Sequence, residues 1–378
     1  MTASHSGAPD VVVVGGGVIG CATAYFLAAH HGMRCVVVER DGVASQASGG
    51  AAGELGAVGR HRYSEAYTRF LLRGIDLHAE MAKTLVEESG VDYLLSDIPL
   101  LRPAFDEREA AELREQMGWQ RELGIDVEWL DAEALRALGT WLAPEALGAA
   151  RTVERQLEAY PFALAMAQAA EHHGAEIRSG EVTGLVRDGD RAVGVRIGDE
   201  QLAAGAVLVA AGPWAVDAGA WMGSKLPVSP LRGQIVHLAP PEGMPMPDHA
   251  IFHETGYVLP KPGGDLLAGT TQELVGFDKQ PTPEAQNTIM EAALRLVPAL
   301  IDAPIRDLTA CLRPYTPDGL PIIGAVPGWR DLYVSTGHAY KGVTLALVSG
   351  KSLAQVMAGR APDVGLDDYS LARLAAAR

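Results

Sequence analysis

The opening of the chain constrains its fold more than any other segment, because residues 11–40 read VVVVGGGVIGCATAYFLAAHHGMRCVVVER. Four successive valines are typical of a buried parallel strand. The segment Val18 to His31 predicts a helix that Gly32 closes, and Cys35 to Val38 predicts a second short strand that ends in Glu39. This order of strand, glycine-rich turn, helix and strand is the repeating unit of parallel α/β sheets.

The glycines of this opening follow the spacing GxGxxG, at Gly15, Gly17 and Gly20. The first allows a tight turn, the second lets a pyrophosphate approach the backbone, and the third lets helix and strand pack closely. The helix N-terminus presents free N–H groups to the phosphates. Glu39 lies where it can accept hydrogen bonds from an adenosine ribose. The pattern therefore predicts a dinucleotide site, and by itself leaves NAD and FAD open.

Composition and charge narrow the classes of partner. Of 378 residues, 48% are hydrophobic and 21% charged, which is typical of a globular chain and not of a disordered one. The net charge is −16 with no lysine or arginine run, which argues against a nucleic-acid partner or an anionic membrane surface. Cys21, Cys35 and Cys311 have no metal-ligand spacing, so we expect no metal site and a reducing compartment.

No targeting segment is visible in the sequence. The first ten residues lack a basic stretch followed by an apolar core. Residues 11–29 are free of charge, but three consecutive glycines favour a strand, a turn and a buried helix over a membrane span. We expect a soluble, cytoplasmic protein without a membrane span, and a homo-oligomer is compatible with the sequence.

The rest of the chain predicts a second domain interleaved with the first. Three middle segments alternate like strands of an antiparallel sheet, namely Leu226 to Leu238, Ala250 to Leu259 and Asp265 to Thr271. A strand at Leu332 to Ser335 and a helix at Val343 to Met357 then return to the α/β pattern. No low-complexity linker separates these parts.

We therefore predict an α/β fold in which a Rossmann-type nucleotide-binding domain with a parallel sheet is interleaved with a mostly antiparallel α+β substrate domain. The nucleotide-binding domain takes residues 1–90, 150–220 and 310–378. The substrate domain takes residues 91–149 and 221–309.

Five stretches resemble one known family. They are the glycine-rich opening with ER at 39–40, AS…AG at 47–53, GYVLP at 256–260, CLRPYTPDGLPIIG at 311–324 and GHAYKG at 337–342. Together they resemble the FAD-dependent amine and amino-acid oxidoreductases, the family of glycine oxidase, D-amino-acid oxidase and dehydrogenase, and monomeric sarcosine oxidase. The likeness spans nearly the whole chain and is closest in pattern to glycine oxidase.

The resemblance implies FAD as the cofactor, held by residues from both ends of the chain. The implied cofactor-binding residues are Gly15, Gly17, Val18, Ile19, Gly20, Glu39, Arg40, Ala47, Ser48, Ala52, Gly53, Glu54, Val182, Gly212, His338, Ala339, Tyr340, Lys341, Gly342, Val343 and Thr344. The segment His338 to Thr344 would wrap the pyrimidine side of the isoalloxazine ring. The helix that starts near Gly342 would aim its positive end at the same ring.

The resemblance also implies a substrate site. Arg313 would hold the substrate carboxylate through a bidentate fork, and Tyr257 would donate its hydroxyl to the same group. Tyr340 and Glu54 complete the implied substrate-binding residues. Hydride would leave the α-carbon for flavin N5, and water would hydrolyse the resulting imine to a keto acid.

We assign no catalytic acid or base. A substrate amine that arrives neutral requires no general base. His61, His253 and His338 are therefore expected to be structural or surface residues.

Three residues depart from the patterns of the family, and a fourth, Cys311, matches one of those patterns. Tyr340 stands where glycine oxidase has an arginine, so a second carboxylate contact is not expected there. Leu267 stands where sarcosine oxidases have the lysine that assists oxygen reduction. Glu54 replaces an apolar side chain, and if it faces the pocket it would favour a substrate with an extra cationic or hydroxyl group. Cys311 matches the covalent flavin attachment of sarcosine oxidases, whereas the glycine-oxidase pattern favours non-covalent FAD.

Several functions remain open at this point. The leading one is an oxidase of glycine, a small D-amino acid or an N-alkyl amino acid that produces hydrogen peroxide. A dehydrogenase, alone or as one subunit of a complex, would pass the same electrons to an acceptor other than oxygen. A biosynthetic flavoenzyme acting on a larger amine and a non-catalytic FAD-binding module are also compatible with the sequence.

Overall fold

The computed structural model of the chain describes residues 7–56, 62–139, 141–223, 225–243 and 247–375. His61, which the sequence predicts to be structural or exposed, lies outside these described residues.

In chain order the strands are β1 (Val11–Val14), β2 (Cys35–Glu39), β3 (Ser96–Ala104), β4 (Glu128–Asp131), β5 (Gly148–Gln156), β6 (Glu176–Ser179), β7 (Val182–Asp188), β8 (Arg191–Ile197), β9 (Glu200–Ala203), β10 (Ala206–Val209), β11 (Ser229–Leu238), β12 (Ala250–His253), β13 (Gly256–Pro260), β14 (Leu266–Gly269), β15 (Ile305–Tyr315), β16 (Ile322–Ala325) and β17 (Leu332–Thr336).

The α-helices are α1 (Val18–His31), α2 (Glu65–Ser89), α3 (Glu107–Glu122), α4 (Ala132–Leu138), α5 (Ala159–His172), α6 (Ala215–Met222), α7 (Pro283–Leu296), α8 (Gly342–Met357) and α9 (Ala372–Ala375). Short 3₁₀ turns lie at Gly212–Trp214, Pro298–Asp302, Ala339–Lys341 and Asp367–Tyr369.

The first sheet is the predicted Rossmann-type sheet. Within the described ranges its six strands lie in the order β16-β17-β10-β1-β2-β6, and every neighbouring pair is parallel except β16 with β17. All four valines of β1 are buried because both faces of the sheet are covered. Helices α1, α5 and α8 cover one face, and α6 with the small sheet β7-β8-β9 covers the other.

The second sheet is mostly antiparallel, as predicted. Across the part of the chain that the structure describes, eight strands lie in the order β15-β11-β14-β13-β12-β3-β5-β4. The pairing of β12 with β3 is parallel and the other pairs are antiparallel. The single strand predicted at Ala250 to Leu259 is wrong, because a turn at Glu254 and Thr255 folds it into the hairpin of β12 and β13. Four non-apolar residues, His253 to Gly256, interrupt the apolar run at this turn, and the prediction of one strand passed over that signal.

Two predicted domain boundaries fall inside strands of this second sheet. Strand β5 pairs with β3 and β4, although the sequence places residue 150 onward in the nucleotide-binding domain. Strand β15 pairs with β11 along its length, although the sequence places residue 310 onward in that same domain. We therefore propose that the substrate domain extends through residue 156 at the first boundary and through residue 315 at the second.

The charge-free run near the N-terminus is divided between β1 and α1. None of the helices in the described ranges combines the length and the apolar character needed to cross a bilayer.

Candidate functional site

A cavity of about 450 Å³ lies between the two sheets. At one end its wall is formed by the glycine turn before α1, and at the other by residues of β11, β12, β13 and β15. Both predicted domains therefore contribute to one continuous site, as expected for a cofactor held by one sheet and a substrate held by the other.

The glycine turn has the geometry of an anion site. Gly15 has φ +110°, and a Cβ there would lie 2.6 Å from Ala210 O, so the turn requires glycine. Gly17 is the N-cap of α1 and has no side chain with which to cap the helix. Val18 N donates to Ser48 Oγ at 3.0 Å, and Gly17, Val18 and Ser48 all line the cavity. The N-terminus of α1 thus faces the cavity with its positive dipole end.

Glu39 is fixed at the edge of this turn. Its Oε2 accepts from Gly16 N at 2.7 Å, and its Oε1 accepts from Asp41 N at 2.8 Å. The adjacent Arg40 lies over the ring of Trp214, 5.3 Å from its centroid, and both residues line the cavity. This end therefore combines a carboxylate, a cation and a flat aromatic wall, which suits an adenosine.

Arg313 lies at the opposite end of the cavity, on β15. Its Nη2 donates to Thr270 Oγ1 at 2.8 Å and its Nη1 to Thr271 O at 3.2 Å. A Cβ on Gly233 of the neighbouring strand would overlap the guanidinium, so the glycine leaves the space that Arg313 occupies. Among the described residues no carboxylate forms an ion pair with Arg313, although the side chain is partly buried. The cation has N–H groups to spare for a ligand.

Tyr257 lies beside Arg313 in the cavity wall. Its ring stacks on Phe252 at 5.0 Å between centroids, and a Cβ on Gly269 would lie 2.5 Å from the Tyr257 hydroxyl. Burial raises the pKa of Tyr257 and the Arg313 charge lowers it, with burial the larger effect. The hydroxyl is therefore protonated at neutral pH and can donate a hydrogen bond.

Tyr340 closes the solvent side of this end. It is 49% exposed, its hydroxyl donates to Gln272 Oε1 at 2.8 Å, and its ring centroid lies 5.3 Å from the Arg313 guanidinium carbon. The next residue, Lys341, points away from Arg313 toward Gly56, whose carbonyl accepts from Nζ at 2.7 Å.

Glu54 faces the cavity from a different direction. It lines the wall, and its Oε2 lies 3.9 Å from Lys341 Nζ. Behind it, Glu154 is buried between Glu54 and Arg102, whose Nη2 lies 3.6 Å from Glu154 Oε1. Burial, with the nearby Glu54 carboxylate, raises the pKa of Glu154 to about 7.

The raised pKa of Glu154 predicts a pH-dependent stability. The folded protein holds a proton that the unfolded chain releases above about pH 4.5, so the free energy of unfolding should fall as pH rises from there through 7. The full effect is about 3 kcal/mol. Glu154→Gln should remove this dependence. The free energy of unfolding of the variant minus that of wild type, measured in urea, should therefore be more positive at pH 8 than at pH 5. The exposed Glu176→Gln serves as the control, and a Glu154→Gln difference that is the same at both pH values would contradict the assignment.

Lys261 supports the cavity wall from behind, and sequence reasoning missed it. Its buried Nζ donates to Ala52 O at 2.8 Å and to Leu157 O at 2.7 Å. Burial lowers the pKa of Lys261 to about 8, although the nearby Glu158 raises it. The lysine fixes the backbone of Ala52 and Gly53, which line the cavity. No local sequence signal marks a lysine that is buried by contacts with two distant segments.

Beside the start of α8, the cavity wall contains two buried polar atoms that have no hydrogen-bond partner among the described residues. They are His338 Nδ1 and Ser335 Oγ, and both residues line the cavity. Burial lowers the pKa of His338 to about 3, so its ring is neutral, and its Nε2 contacts Ser349 Oγ at 3.1 Å. Helix α8 begins beside them at Gly342. A buried wall with unsatisfied polar atoms and a helix N-terminus fits the polar edge of a flavin.

The cavity brings together most of the site residues that the sequence predicts. Arg313, Tyr257 and Glu54 line it, as do the predicted cofactor residues other than two. Gly20 is not in the wall, because it packs against Gly15 O and Val13 beneath the turn. Thr344 is not in the wall either, because it is buried one turn into α8.

Further wall residues were not predicted. They are large or polar side chains of the second sheet and the loop after β10, and include Ile235, Phe252, Thr270 and Trp214. The alternation of inward and outward side chains along β11 and β12 could have indicated that Ile235 and Phe252 face the cavity. The contact of Thr270 with Arg313 joins segments far apart in sequence and has no local signal.

His253 lies outside the cavity. Its Nε2 is 3.3 Å from Glu109 Oε1, and with Glu254 these residues offer oxygen and nitrogen atoms within 4.8 Å of one another. The sequence did not predict this cluster. Arg295 lies 3.9 Å from the same Glu109 oxygen. Because the guanidinium already supplies positive charge there, we assign no metal to this cluster.

Comparison with known proteins agrees with this geometry. The DAO family, described as FAD dependent oxidoreductase, matches residues 10–356. A glycine oxidase of Pseudomonas aeruginosa is 33% identical over 371 residues, which cover 95% of this chain and 98% of that protein. The hydrogen cyanide synthase subunit HcnC of Pseudomonas protegens is 27% identical, with 97% of each chain covered. The crystal structure of glycine oxidase from Geobacillus kaustophilus superposes with a TM-score of 0.90 at 31% identity, covering 96% of this chain and 98% of that one.

A glycine turn at a helix N-terminus, a carboxylate at the end of the next strand and a matching family over most of the chain lead to the same cofactor. The chain belongs to the DAO family of FAD-dependent oxidoreductases.

Proposed function

We propose that this protein oxidises the amine of a small amino acid or N-alkyl amino acid, of the glycine, D-amino acid or sarcosine type. The observation that carries the proposal is Arg313, a partly buried cation in the cavity with no carboxylate partner among the described residues. A carboxylate is the natural ligand of such a guanidinium. The 33% identity to a glycine oxidase supports the same class of substrate.

The side chains around Arg313 would orient the substrate. Thr270 and Thr271 hold the guanidinium from one side, which leaves its other N–H groups for the two carboxylate oxygens. The protonated Tyr257 hydroxyl would donate to the same carboxylate from β13. The bound flavin would supply the acceptor for the hydride of the α-carbon. Fixing the carboxylate reduces the orientations open to that C–H bond, and so raises the rate without an acid or base from the protein.

The substrate can be identified by anaerobic mixing. Purified yellow protein would be mixed with a panel of D-, L- and N-methyl amino acids, and the flavin absorbance followed. We expect bleaching by at least one small member of the panel. A panel in which no amino acid bleaches the flavin would contradict the proposal.

The electron acceptor is a separate question. One observation favours a dehydrogenase as the second candidate, namely the likeness to a subunit of hydrogen cyanide synthase. The apolar Leu267, which is buried in the second sheet, argues only against an oxygen site of the sarcosine-oxidase type, because glycine oxidases also lack that lysine. We favour an oxidase because glycine oxidase is the more similar relative. Peroxide formed in air and absent under nitrogen supports the oxidase. Reduced flavin that persists in air while a quinone or dye restores its colour supports the dehydrogenase.

We also propose that FAD is bound without a covalent link. Cys311 lines the cavity, but its side chain is buried and burial raises the pKa of the thiol, with Arg313 opposing this. Its Sγ contacts Gly50 O at 3.8 Å. A buried neutral thiol is a poor nucleophile.

Acid precipitation of the holoprotein should therefore leave all yellow colour in the supernatant. Cys311→Ser should retain the same FAD content. Colour that stays on the precipitated polypeptide, and is lost in Cys311→Ser, would show a covalent link.

A further inference from the structure

Glu54 carries a carboxylate at the cavity wall that few neighbours satisfy. No hydrogen bond to its side chain occurs among the described residues, and its nearest cation, Lys341, remains 3.9 Å away. Lys341 instead donates to Gly56 O at 2.7 Å. The carboxylate can therefore accept hydrogen bonds from a ligand.

A second carboxylate lies directly behind the first. A Cβ built on Gly56 would overlap Glu54 Oε1 and lie 2.7 Å from Glu154 Oε2, so the two acids face one another across this glycine. Gln156 follows on the same face of β5 as Glu154, and its backbone pairs with that of Glu54 in an isolated β-bridge. Gln156 is 6% exposed, and its Oε1 has no hydrogen-bond partner among the described residues. The Glu54 carboxylate and Gln156 Oε1 are therefore acceptors that receive no hydrogen bond from the described residues.

The cavity wall carries a positive pole at Arg313 and a negative pole at Glu54, and Tyr257 lies in the same wall. Beyond the effect of burial, which is the largest, Arg313 lowers and Glu54 raises the pKa of this tyrosine. Arg313 and Glu54 therefore both act electrostatically on this hydroxyl, and both line the cavity. A ligand with a carboxylate at one end and a cation at the other would match both poles.

We propose that Glu54, supported by Glu154 and Gln156, binds a terminal amine of the substrate, so that the preferred substrate is an amino acid with a basic side chain. The inference rests on the proposed function, because it assumes that Arg313 holds the α-carboxylate. An ammonium group supplies several N–H donors to the Glu54 carboxylate, which no described residue hydrogen-bonds, and its charge pairs with that of Glu54.

Binding of carboxylic acids that carry no α-amine tests the inference without turnover. The probes are 4-aminobutanoate and 5-aminopentanoate, each compared with butanoate or pentanoate by calorimetry on the FAD-loaded protein. In at least one of the two pairs, we expect the acid with the terminal amine to bind at least about tenfold more tightly than the acid without it. Glu54→Gln should reduce this ratio to about one while the affinity for the parent acid is retained.

Glu158→Gln is the matched control, because Glu158 lies near Lys261 and does not line the cavity. It should keep the wild-type ratio. The inference would be overturned if wild type bound the two acids of each pair with equal affinity. It would also be overturned if Glu54→Gln left the affinity ratio of a pair unchanged. A protein that binds none of the four acids would contradict both this inference and the role of Arg313.

Turnover separates the two proposals. Wild type should oxidise DL-ornithine with kcat/KM at least tenfold above that for DL-norvaline, which lacks only the terminal amine. Equal values would overturn the role of Glu54 and leave amino-acid oxidation standing. No oxidation of either, or of any small amino acid, would contradict the proposed function itself.

Discussion

Arg313→Leu is expected to lower kcat/KM for carboxylated amines by about 30- to 1000-fold, which corresponds to about 2–4 kcal/mol. The guanidinium lies in the cavity, held by Thr270 and Thr271 and overlain by Tyr340, with no acid partner in the described ranges. Leucine fills much of the same space but offers no N–H group. Steady-state kinetics on the best amino acid of the panel measures the effect.

FAD should remain bound in this variant, because the glycine turn and the N-terminus of α1 lie at the opposite end of the cavity. Arg306→Leu is the matched control: it is the same substitution on the same strand, at an exposed residue that pairs with Asp265. We expect it to leave kcat/KM unchanged. Wild-type kcat/KM in Arg313→Leu would show that the carboxylate is bound elsewhere.

Gly17→Asp is expected to lower FAD affinity by about 100-fold or more while the apoprotein remains folded. Gly17 is the N-cap of α1, with φ −75° and ψ 170°, a conformation that aspartate adopts readily. The new side chain would cap the helix and stabilise it by a few tenths of a kcal/mol. Its negative charge would occupy the anion site that the dinucleotide phosphates require, at a cost on the order of 3 kcal/mol.

The measurements are FAD content after purification, FAD titration of the apoprotein and its thermal unfolding. Gly17→Asn provides a side chain of nearly the same size without the charge, and a Cβ at this residue would already lie 3.2 Å from Ser48 Oγ. Asparagine should therefore weaken FAD binding through bulk, and aspartate should weaken it further. Equal FAD content in Gly17→Asp and wild type would place the phosphates elsewhere.

The unit of β1, the glycine turn and α1 was predictable from sequence, because binding a dinucleotide requires a backbone geometry that neighbouring residues determine. The glycine spacing, the valine strand and the helix from Val18 to His31 are all confirmed at the predicted bounds. Arg313 and Tyr257 were found through resemblance of their surrounding sequence, and the structure brings both to one cavity. A local pattern was sufficient to place these residues at the cavity, and their roles in substrate binding stay predictions.

The features that were missed depend on contacts between distant segments. Residues 305–315 pair with β11 and so bring Arg313 to the site from the second sheet, which the domain boundary at 310 did not anticipate. Lys261 is buried by the carbonyls of Ala52 and Leu157. The approach of Glu154 to Glu54 likewise joins residues one hundred positions apart. Hydrophobic periodicity reports which face of an element is buried, and it does not report which distant residue lies opposite.

The most direct test of the account compares each amino acid with the amine that lacks its carboxylate. Under anaerobic conditions the yellow protein would be mixed with glycine or methylamine, sarcosine or dimethylamine, and D-alanine or ethylamine. The account predicts that at least one carboxylated member bleaches the flavin and that its decarboxylated partner does so at least about 100 times more slowly, because only the first engages Arg313. Equal rates of bleaching within the reactive pair would contradict it.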